Sequence, residues 1–381
     1  MLDREDAREV VKMYTSLLGQ LADFERVKIE AWGQSIEESS QAKLKNPLLR
    51  KGTVPPNAPL GAQPLLYVNF DPLLTRLLRE VKYFLLLDLQ VPPSALDIYQ
   101  RGEVFRRHMG NLDLIVNIFN KIQQTLLPVE RPLLKGQLDK ISKSISHGVD
   151  GNSTSKKEGS SKTKSLNWKS NGIDNFITEA MSDVKSINNT ISVMKSNLRR
   201  VEVLLEGWRA RPLFERANKT CVVADLQILL KQLITGQYHL IKEGGQEIHK
   251  LLKDTNRTLK VSQGLPDWKA YVDFINNIVI MGLVDTVVVS LDSLEANLNE
   301  EFIVKNNYSP LVEIDLDLRD KAVIYNPEVA FVTTKDSSKY GLRNLVWSWI
   351  SSILGIGQVF KRLDSGEGTY LMEVSERSER A

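Results

Sequence analysis

The sequence predicts a mainly α-helical fold of elongated helical bundles, with long heptad-patterned helices and one small β-hairpin at about 311–325. Two observations support this: one long apolar stripe, and one segment in which apolar and acidic residues alternate. Because the stripe residues recur every 3.5 positions, they lie on one side of a single helix. At 1.5 Å per residue this helix is about 50 Å long. The stripe comprises Ile173, Ile177, Ala180, Val184, Ile187, Ile191, Met194, Leu198, Val201, Leu205 and Trp208.

The flanks of this stripe favour a helix inside a bundle over an isolated two-stranded coiled coil. Phe176, Met181 and Leu204 widen the apolar surface beyond a strict two-position seam. The neighbouring positions also lack the dense opposite charges that specify a paired coil. A helix of this length suits a protein that spans distance or carries partners better than a compact enzyme.

The N-terminal part of the chain is predicted to hold a helix and then an extended loop. Residues 1–45 form an N-terminal helical segment, and residues 46–64 form a Pro-rich loop, because prolines and glycines end a helix. The start of the chain is charged and helical in pattern, so it does not resemble a secretory signal. The apolar positions of the first helix are Val10, Tyr14, Leu17, Leu21 and Phe24.

Residues 65–147 are predicted to be a helical bundle subdomain. The apolar run 65–70 suits a short strand, and Asp71-Pro72 has the pattern of a capped helix start. Ser94 is the expected cap of the next short helix. Further helices follow at 103–127, and from Pro132 to near Ile145.

A flexible Ser/Lys-rich linker is predicted at 148–165, because its composition cannot bury enough apolar surface to offset the entropy of ordering. A long-helix bundle is predicted at 166–308, with helices at 173–208, 219–262 and 267–302. Gly244-Gly245 is expected to mark a kink or a break in the second of these helices.

The C-terminal quarter contains the predicted hairpin. In residues 311–318, apolar positions alternate with acidic ones, which is the period of a strand with one solvated face. The hairpin segment is 309–329, with Arg319-Asp320 as its turn and a return strand at 322–325. A C-terminal helical segment at 330–374 and an irregular tail at 375–381 complete the predicted domains.

The bulk composition indicates an ordinary folded protein. Of 381 residues, 42% are hydrophobic and 25% are charged. A net charge of +3 gives no electrostatic argument for nucleic acid or an anionic membrane as the main partner. The single cysteine, Cys221, excludes an internal disulfide framework and suits a reducing compartment. Two apolar runs, 278–291 and 345–360, are short for membrane spans and are predicted to be packed helices.

The sequence offers no motif for chemistry, so we predict no catalytic, cofactor-binding or metal-ligating residues, no cofactor and no small-molecule substrate. No phosphate-binding loop or nucleophile elbow is present. Gly355 and Gly357 supply only part of a dinucleotide fingerprint. Cys221 is interpreted as a buried structural thiol, and the acidic pairs Glu37-Glu38, Glu300-Glu301 and Asp315/Asp317 as solvated charge. None of the histidines, which are His108, His147, His239 and His249, has metal-ligand spacing.

Five separated blocks of the sequence are LLYVNFDPLLTRLLREVKYFLLLDLQVPPSALDIYQRGEVFRR at 65–107, LNWKSNGIDNFI at 166–177, PLFER at 212–216, SPLVEIDLDLRDKAVIYNPEV at 309–329 and RLDSGEGTYLMEV at 362–374. These blocks resemble the N-terminal tail, or stem, of dynein heavy chains, and axonemal ones of the outer-arm type above all. They occur in family order, and the resemblance extends over about residues 1–374. The Ser/Lys-rich stretch is longer than the family connector, and the ending SERSERA does not resemble family sequence.

This resemblance implies a function in ciliary motility. The chain is expected to be a truncated stem fragment that scaffolds heavy-chain association and binds dynein intermediate and light chains, with docking factors on doublet microtubules as further partners. The implied location is the cytoplasm and cytoskeleton, at the axoneme of the cilium. The motor ATPase ring is not part of the matching blocks, so no enzyme activity is expected, and neither nucleic acid nor membrane is an expected partner.

Two alternatives stay open at the level of sequence. In the first alternative, the chain is a stand-alone helical tether or adaptor. In the second, it is an enzyme whose active site is built from scattered carboxylates and histidines. Nucleotide hydrolysis or metal-dependent turnover by the purified chain would favour the enzyme.

Overall fold

A computed structural model describes residues 5–53, 64–149, 165–216, 220–330, 341–363, 371 and 373–378. The described residues divide into two compact units: 1–126 with 135–189, and 127–134 with 190–381. Most of the predicted linker, residues 150–164, lies outside the described residues. The domain division made from sequence stays a prediction.

Unit 1 consists of helices around one small sheet. Helices end where apolar periodicity meets proline, glycine or a capping side chain. Its elements are α1 (Glu5–Lys43), β1 (Leu49–Lys51), β2 (Leu66–Val68), α2 (Pro72–Leu86), α3 (Pro93–Gln100), α4 (Gly102–Thr125), α5 (Lys135–Ser146) and the part of α6 (Ile173–Arg209) up to Asn189.

The fold class predicted from sequence is confirmed, and the structure adds a second two-stranded sheet. β1 and β2 pair antiparallel, with Leu49 opposite Val68. A three-residue strand is too short to show alternation of apolar and polar residues. The sequence therefore predicts a Pro-rich loop where the structure has β1. The side chain of Asn120 accepts a hydrogen bond from Leu66 N and donates to Leu66 O, both at 2.9 Å. This side chain thereby satisfies backbone groups at the open edge of β2.

The helix starts of unit 1 test two capping predictions. Asp71 caps α2 as predicted, because its carboxylate accepts a hydrogen bond from Leu73 N at 2.9 Å and Pro72 occupies the first helical position. The prediction for Ser94 is wrong. Pro92, two residues before Ser94, occupies the N-cap of α3 without a side-chain hydrogen bond. Pro93 is favourable at the first position of a helix because its missing N–H has no helical partner there.

The segment LNWKS inserts a tryptophan into the core of unit 1. Asn167 N donates to Ser170 Oγ, and Lys169 N donates to Asn167 Oδ1, both at 3.0 Å. These bonds close a tight turn just before α6. The turn presents Trp168, which is fully buried, edge-on to Phe70 at 4.8 Å between ring centroids.

Unit 2 is built on three long helices. They are the remainder of α6, α7 (Val223–Leu259) and α8 (Pro266–Leu298). The shorter elements are α9 (Glu300–Lys305), β3 (Asp315–Arg319), β4 (Ala322–Asn326), α10 (Leu342–Leu354) and α11 (Glu373–Ser378), with 3-10 turns at Pro132–Leu134 and Gly355–Gln358. Ten of the eleven stripe residues of α6 are buried, and Trp208 is half-buried.

The predicted break at Gly244-Gly245 does not occur, since α7 runs as one helix through both glycines. A Cβ added to Gly244 would stand 2.7 Å from the ring of Trp208, and one added to Gly245 would stand 3.0 Å from Phe360. The glycines therefore serve close packing of aromatic rings rather than a helix interruption.

The predicted helix 267–302 is wrong at its end, because two helices occupy this range. α8 ends at Leu298, and Asn299 starts α9 by accepting hydrogen bonds from Glu301 N and Phe302 N. Asparagine competes with the helical hydrogen-bond ladder in this way, so it favours a cap over a helix interior.

Candidate functional site

The most exposed apolar helix surface of unit 1 lies on α1. Its five stripe residues keep between 53% and 64% of their surface exposed. The stripe of α6, with the same 4-3 spacing, is buried. An apolar stripe of this length on a helix surface is typical of a face that packs against another helix. The α1 face, as we call it, comprises Val10, Tyr14, Leu17, Leu21 and Phe24.

A groove of about 790 Å³ lies on another side of α1, against the segment 89–93. Three acidic residues, Glu25, Glu30 and Glu37, line it. Arg26 also lines the groove, but its guanidinium lies 3.9 Å from Glu30 and 3.2 Å from Asp23. The excess of carboxylates gives the groove a negative potential.

Unit 2 presents its own exposed apolar surface on the β3–β4 hairpin. The predicted hairpin is confirmed, with Asp315 opposite Asn326 and Arg319 opposite Ala322. Its first strand begins at Asp315 rather than at 311, and the predicted turn Arg319-Asp320 is wrong by one residue, because Arg319 pairs within the ladder and Asp320-Lys321 form the turn. The sequence predicted one solvated face, but all ten strand residues are exposed. No described residue covers the apolar side, which is why the observed burial departs from the pattern.

The four histidines do not form a common site. His108 Nε2 lies 2.9 Å from Asp174 Oδ1, and His239 Nε2 lies 3.3 Å from Glu243. His147 contacts the Ser144 carbonyl, whereas His249 contacts that of Lys361. Across the described residues, no three His, Cys, Asp or Glu side chains form a group that could hold a metal ion.

A cavity of about 670 Å³ lies between α7 and residues 358–361, and His249 and Tyr238 line it. Burial lowers the pKa of His249, and the positive charges of Lys253 and Lys361 lower it further. The hydrogen bond to the Lys361 backbone acts in the opposite direction, but the net effect is a lowered pKa. Burial also raises the pKa of Tyr238 to about 12. Both groups are therefore neutral at physiological pH, and their hydrogen bonds to backbone carbonyls hold residues 352 and 361 against α7.

The described members of the three acidic pairs are exposed. Glu300 and Glu301 lie in the first turn of α9, while Asp315 and Asp317 lie on the exposed hairpin. Glu37 is exposed, and the side chain of Glu38 lies outside the described residues. Charge in these positions is solvated, so it suits an interaction surface more than proton transfer.

One described helix, α8, is long and apolar enough to cross a membrane. It lies at the centre of unit 2, where Val279, Leu283 and Val287 have no exposed surface. Its polar Thr286 and Ser290 donate hydrogen bonds to helix carbonyls. These contacts are those of a core helix, as the sequence predicted for 278–291.

One feature of unit 1 could not be predicted from the sequence. The groove beside α1 depends on the approach of Pro92 to Gly33, where a Cβ would stand 2.8 Å away. A glycine on a polar helix face opposite a Pro-Pro pair is a signal for such close approach, but it is a weak one.

Part of the chain matches a known family. Residues 1–176 match the family described as dynein heavy chain, N-terminal region 1. The chain belongs to the dynein heavy chains and corresponds to their N-terminal region, apart from the motor domain.

The chain is similar in sequence to axonemal dynein heavy chains of cilia and flagella. The chain is 33% identical to the dynein beta chain of the flagellar outer arm from Chlamydomonas reinhardtii, over 99% of its own length. It is 29% identical to the ciliary dynein beta chain of Heliocidaris crassispina over 97%. It is 28% identical to dynein axonemal heavy chain 11 of Sus scrofa over 86%. The chain spans 7 to 8% of the length of these curated relatives.

Proposed function

We propose that this chain is a non-catalytic stem segment of an axonemal dynein heavy chain. Its role is to scaffold heavy-chain association and the binding of intermediate and light chains for microtubule-based ciliary motility. Docking factors on doublet microtubules are further partners. The proposed location is the axoneme.

The observation that carries the proposal is the exposed α1 face. A regular apolar stripe costs free energy while it contacts water, at about 25 cal/mol for each Å². Burial against a second helix recovers that free energy, and the 4-3 spacing suits helix packing at a shallow crossing angle. We assign this face to a helix of another dynein heavy chain.

The position of α1 in unit 1 supports the proposal. The C-terminal third of α1 is held in unit 1, where Lys43 forms an ion pair with Asp71 at 2.9 Å and Trp32 donates to Glu80 at 2.8 Å. The stripe precedes these anchors, so another chain can pack on it without displacing the contacts of unit 1. Force transmitted along the helices would reach such a partner through those anchors.

The test is co-purification of the chain with heavy, intermediate and light chains of axonemal dynein isolated from cilia. The variant Leu17→Asp/Leu21→Asp places two charges on the α1 face. We expect it to lose at least ten-fold in heavy-chain binding, because the charges would have to be buried. Circular dichroism checks that the helix content is unchanged.

The matched control is Thr15→Asp/Ser16→Asp, which adds the same charge to the polar side of α1. It should retain heavy-chain binding. Equal binding by wild type and the face variant would exclude the α1 face as the interface. Failure of every dynein subunit to bind wild type would exclude the scaffold function itself.

A further inference from the structure

The β3–β4 hairpin separates its side chains into an apolar face and a polar face. Leu316 stands opposite Tyr325, and Leu318 stands opposite Val323. Because side chains alternate along a strand, these four lie on one side. Their exposed fractions are 66% and 70% for the leucines, 47% for Tyr325 and 56% for Val323.

The other side of the hairpin is suited to water. It carries Asp315, Asp317 and Arg319, and the Arg319 guanidinium donates to Asp317 at 2.7 Å. This side also carries one large apolar strand residue, Ile324, which stands opposite Asp317. The sequence therefore encodes one apolar face that suits burial and one polar face that suits solvent. The described residues of the chain leave the apolar face exposed.

The turn fixes the register that creates the apolar face. Asp320 and Lys321 have φ angles of 50° and 69°. Positive φ at both central residues is the geometry of a type I′ turn, whose twist matches that of a two-residue hairpin. A lone two-stranded hairpin is marginally stable in water, and it becomes stable when a helix packs on it.

The shape of the surface selects a helix as the occupant. A strand that paired with the edge of β3 or β4 would satisfy backbone groups but leave the apolar face in water. A helix laid across the face covers it. The five-residue strands span about 17 Å, which equals about three helical turns.

The charge around the face selects the chemistry of that helix. Residues 311–330 contain five acidic residues and two basic ones, Arg319 and Lys321. Asp315, Asp317 and Arg319 lie on the opposite side of the hairpin, so the charged residues that remain are three acidic ones against Lys321. This excess of negative charge attracts a positively charged partner and repels an acidic one. The acidic residues are Glu313, Asp315, Asp317, Asp320 and Glu328.

We propose that the apolar face of the hairpin docks an amphipathic helix flanked by lysine or arginine, supplied by another subunit of the dynein complex. This inference rests on the proposed scaffold function. The docking surface is separate from the α1 face, because the hairpin belongs to unit 2 and α1 belongs to unit 1.

The first test uses the whole 381-residue chain and a designed helical peptide with a leucine stripe flanked by lysines, measured by fluorescence anisotropy. We expect wild type to bind it, with affinity falling as salt rises. We expect Leu316→Ser/Leu318→Ser to bind at least ten-fold more weakly. The matched control is Ile324→Ser, on the other face of the same strands, which should bind as wild type does.

A second variant, with reversed charge, distinguishes loss of the apolar contact from unfolding of the hairpin in the serine variant. Glu313→Lys/Asp320→Lys leaves the apolar face intact, so it should weaken the lysine peptide at least ten-fold and strengthen a matched glutamate peptide. Equal affinity of wild type for both peptides would overturn the proposed charge selection. Preferential binding of an extended peptide, or dimerisation through Leu318 in analytical ultracentrifugation, would overturn the proposed occupant.

The second test repeats the co-purification with axonemal dynein subunits. Loss of one subunit from the serine variant, with the others retained, supports the inference. Retention of every subunit by that variant overturns it and leaves the scaffold function standing. If no subunit binds wild type while the lysine peptide does, the scaffold function fails and the identity of the partner as a dynein subunit fails with it.

Discussion

The indole Nε1 of Trp168 donates a hydrogen bond of 2.8 Å to the backbone carbonyl of Asn69, 99 positions earlier in the chain. Asn69 in turn donates through its backbone N–H to Leu48 O at 2.8 Å. Leu48 N donates to Leu166 O at 3.2 Å. Three distant segments of unit 1 are therefore joined around one buried tryptophan, so local changes there should affect the whole unit.

Trp168→Phe should destabilise unit 1 by about 1–3 kcal/mol, since it removes the donor from the core and leaves the half-buried Asn69 carbonyl without its partner. Trp168→Ala should cost about 3–5 kcal/mol through the cavity that it creates. Urea denaturation followed by circular dichroism measures both changes. Trp347→Phe is the control, because Trp347 is 61% exposed and should change stability by less than about 0.5 kcal/mol.

Gly244→Ala should destabilise unit 2 although alanine has the higher helix propensity. The new methyl group would stand 2.7 Å from the Trp208 ring, and overpacking of this kind costs about 1–3 kcal/mol. Gly236→Ala, in the same helix, meets no atom within 4 Å and should stabilise by about 0.5–1 kcal/mol. Equal stabilisation by both substitutions, as read from thermal melting, would contradict the packing role of Gly244.

Lys195→Met should cost about 3–5 kcal/mol, because it leaves a buried carboxylate without its cation. Glu130 has no exposed surface, and its Oε2 accepts from Lys195 Nζ at 2.6 Å and from Leu127 N at 2.8 Å. Glu130→Gln/Lys195→Met should recover much of the loss, since no charge is then buried alone. Urea denaturation of the single and double variants measures the coupling.

The control for this pair is Arg200→Met. It breaks a 2.7 Å ion pair with Glu247 in which both side chains are solvated. Exposed ion pairs contribute little to stability. A loss for Arg200→Met as large as that for Lys195→Met would show that burial is not the cause.

The stability of unit 2 should fall as pH drops below about 6.5. The folded state lowers the pKa of His249 below its ordinary 6.5, so the unfolded state binds the proton more tightly. The contribution of His249 is complete above the unfolded pKa and is lost as pH falls through the folded one. Urea midpoints at pH 7.5 and pH 5.5 measure this loss.

His249→Gln should reduce that pH dependence, because glutamine does not titrate but can donate to the Lys361 carbonyl. His239→Gln should preserve it, since His239 is on the exposed side of α7. An unchanged pH dependence in His249→Gln would assign the effect to other groups.

Asp320→Asn/Lys321→Gly should stabilise the β3–β4 hairpin by about 0.5–1 kcal/mol. Both residues have positive φ, and Asn-Gly is the preferred pair for that geometry. Amide hydrogen exchange in β3 and β4 measures the change. Ala322→Gly, at a strand position, should accelerate exchange instead, because glycine loses more entropy on ordering.

Much of the local structure could be predicted from residue patterns. The α6 stripe, the Asp71-Pro72 helix start and the strands around Asp320 follow from periodicity and capping chemistry, which act over a few residues. The errors arose where a local signal had two solutions. Gly244-Gly245 is compatible with a helix break or with close packing. Asn299 is compatible with a helix interior or with a cap. In both cases the neighbouring elements decide which of the two structures forms.

The sequence by itself determined the helical class and the approximate position of each long helix, because hydrophobic periodicity is a local property. The resemblance to dynein heavy chains also came from the sequence alone, through its matching blocks. Only the tertiary structure decided which stripes are covered. Leu17 in α1 and Ile187 in α6 occupy equivalent positions in similar 4-3 patterns, but Leu17 is exposed and Ile187 is buried. Burial depends on which other segments come close, and that proximity is set by contacts between residues far apart in the chain.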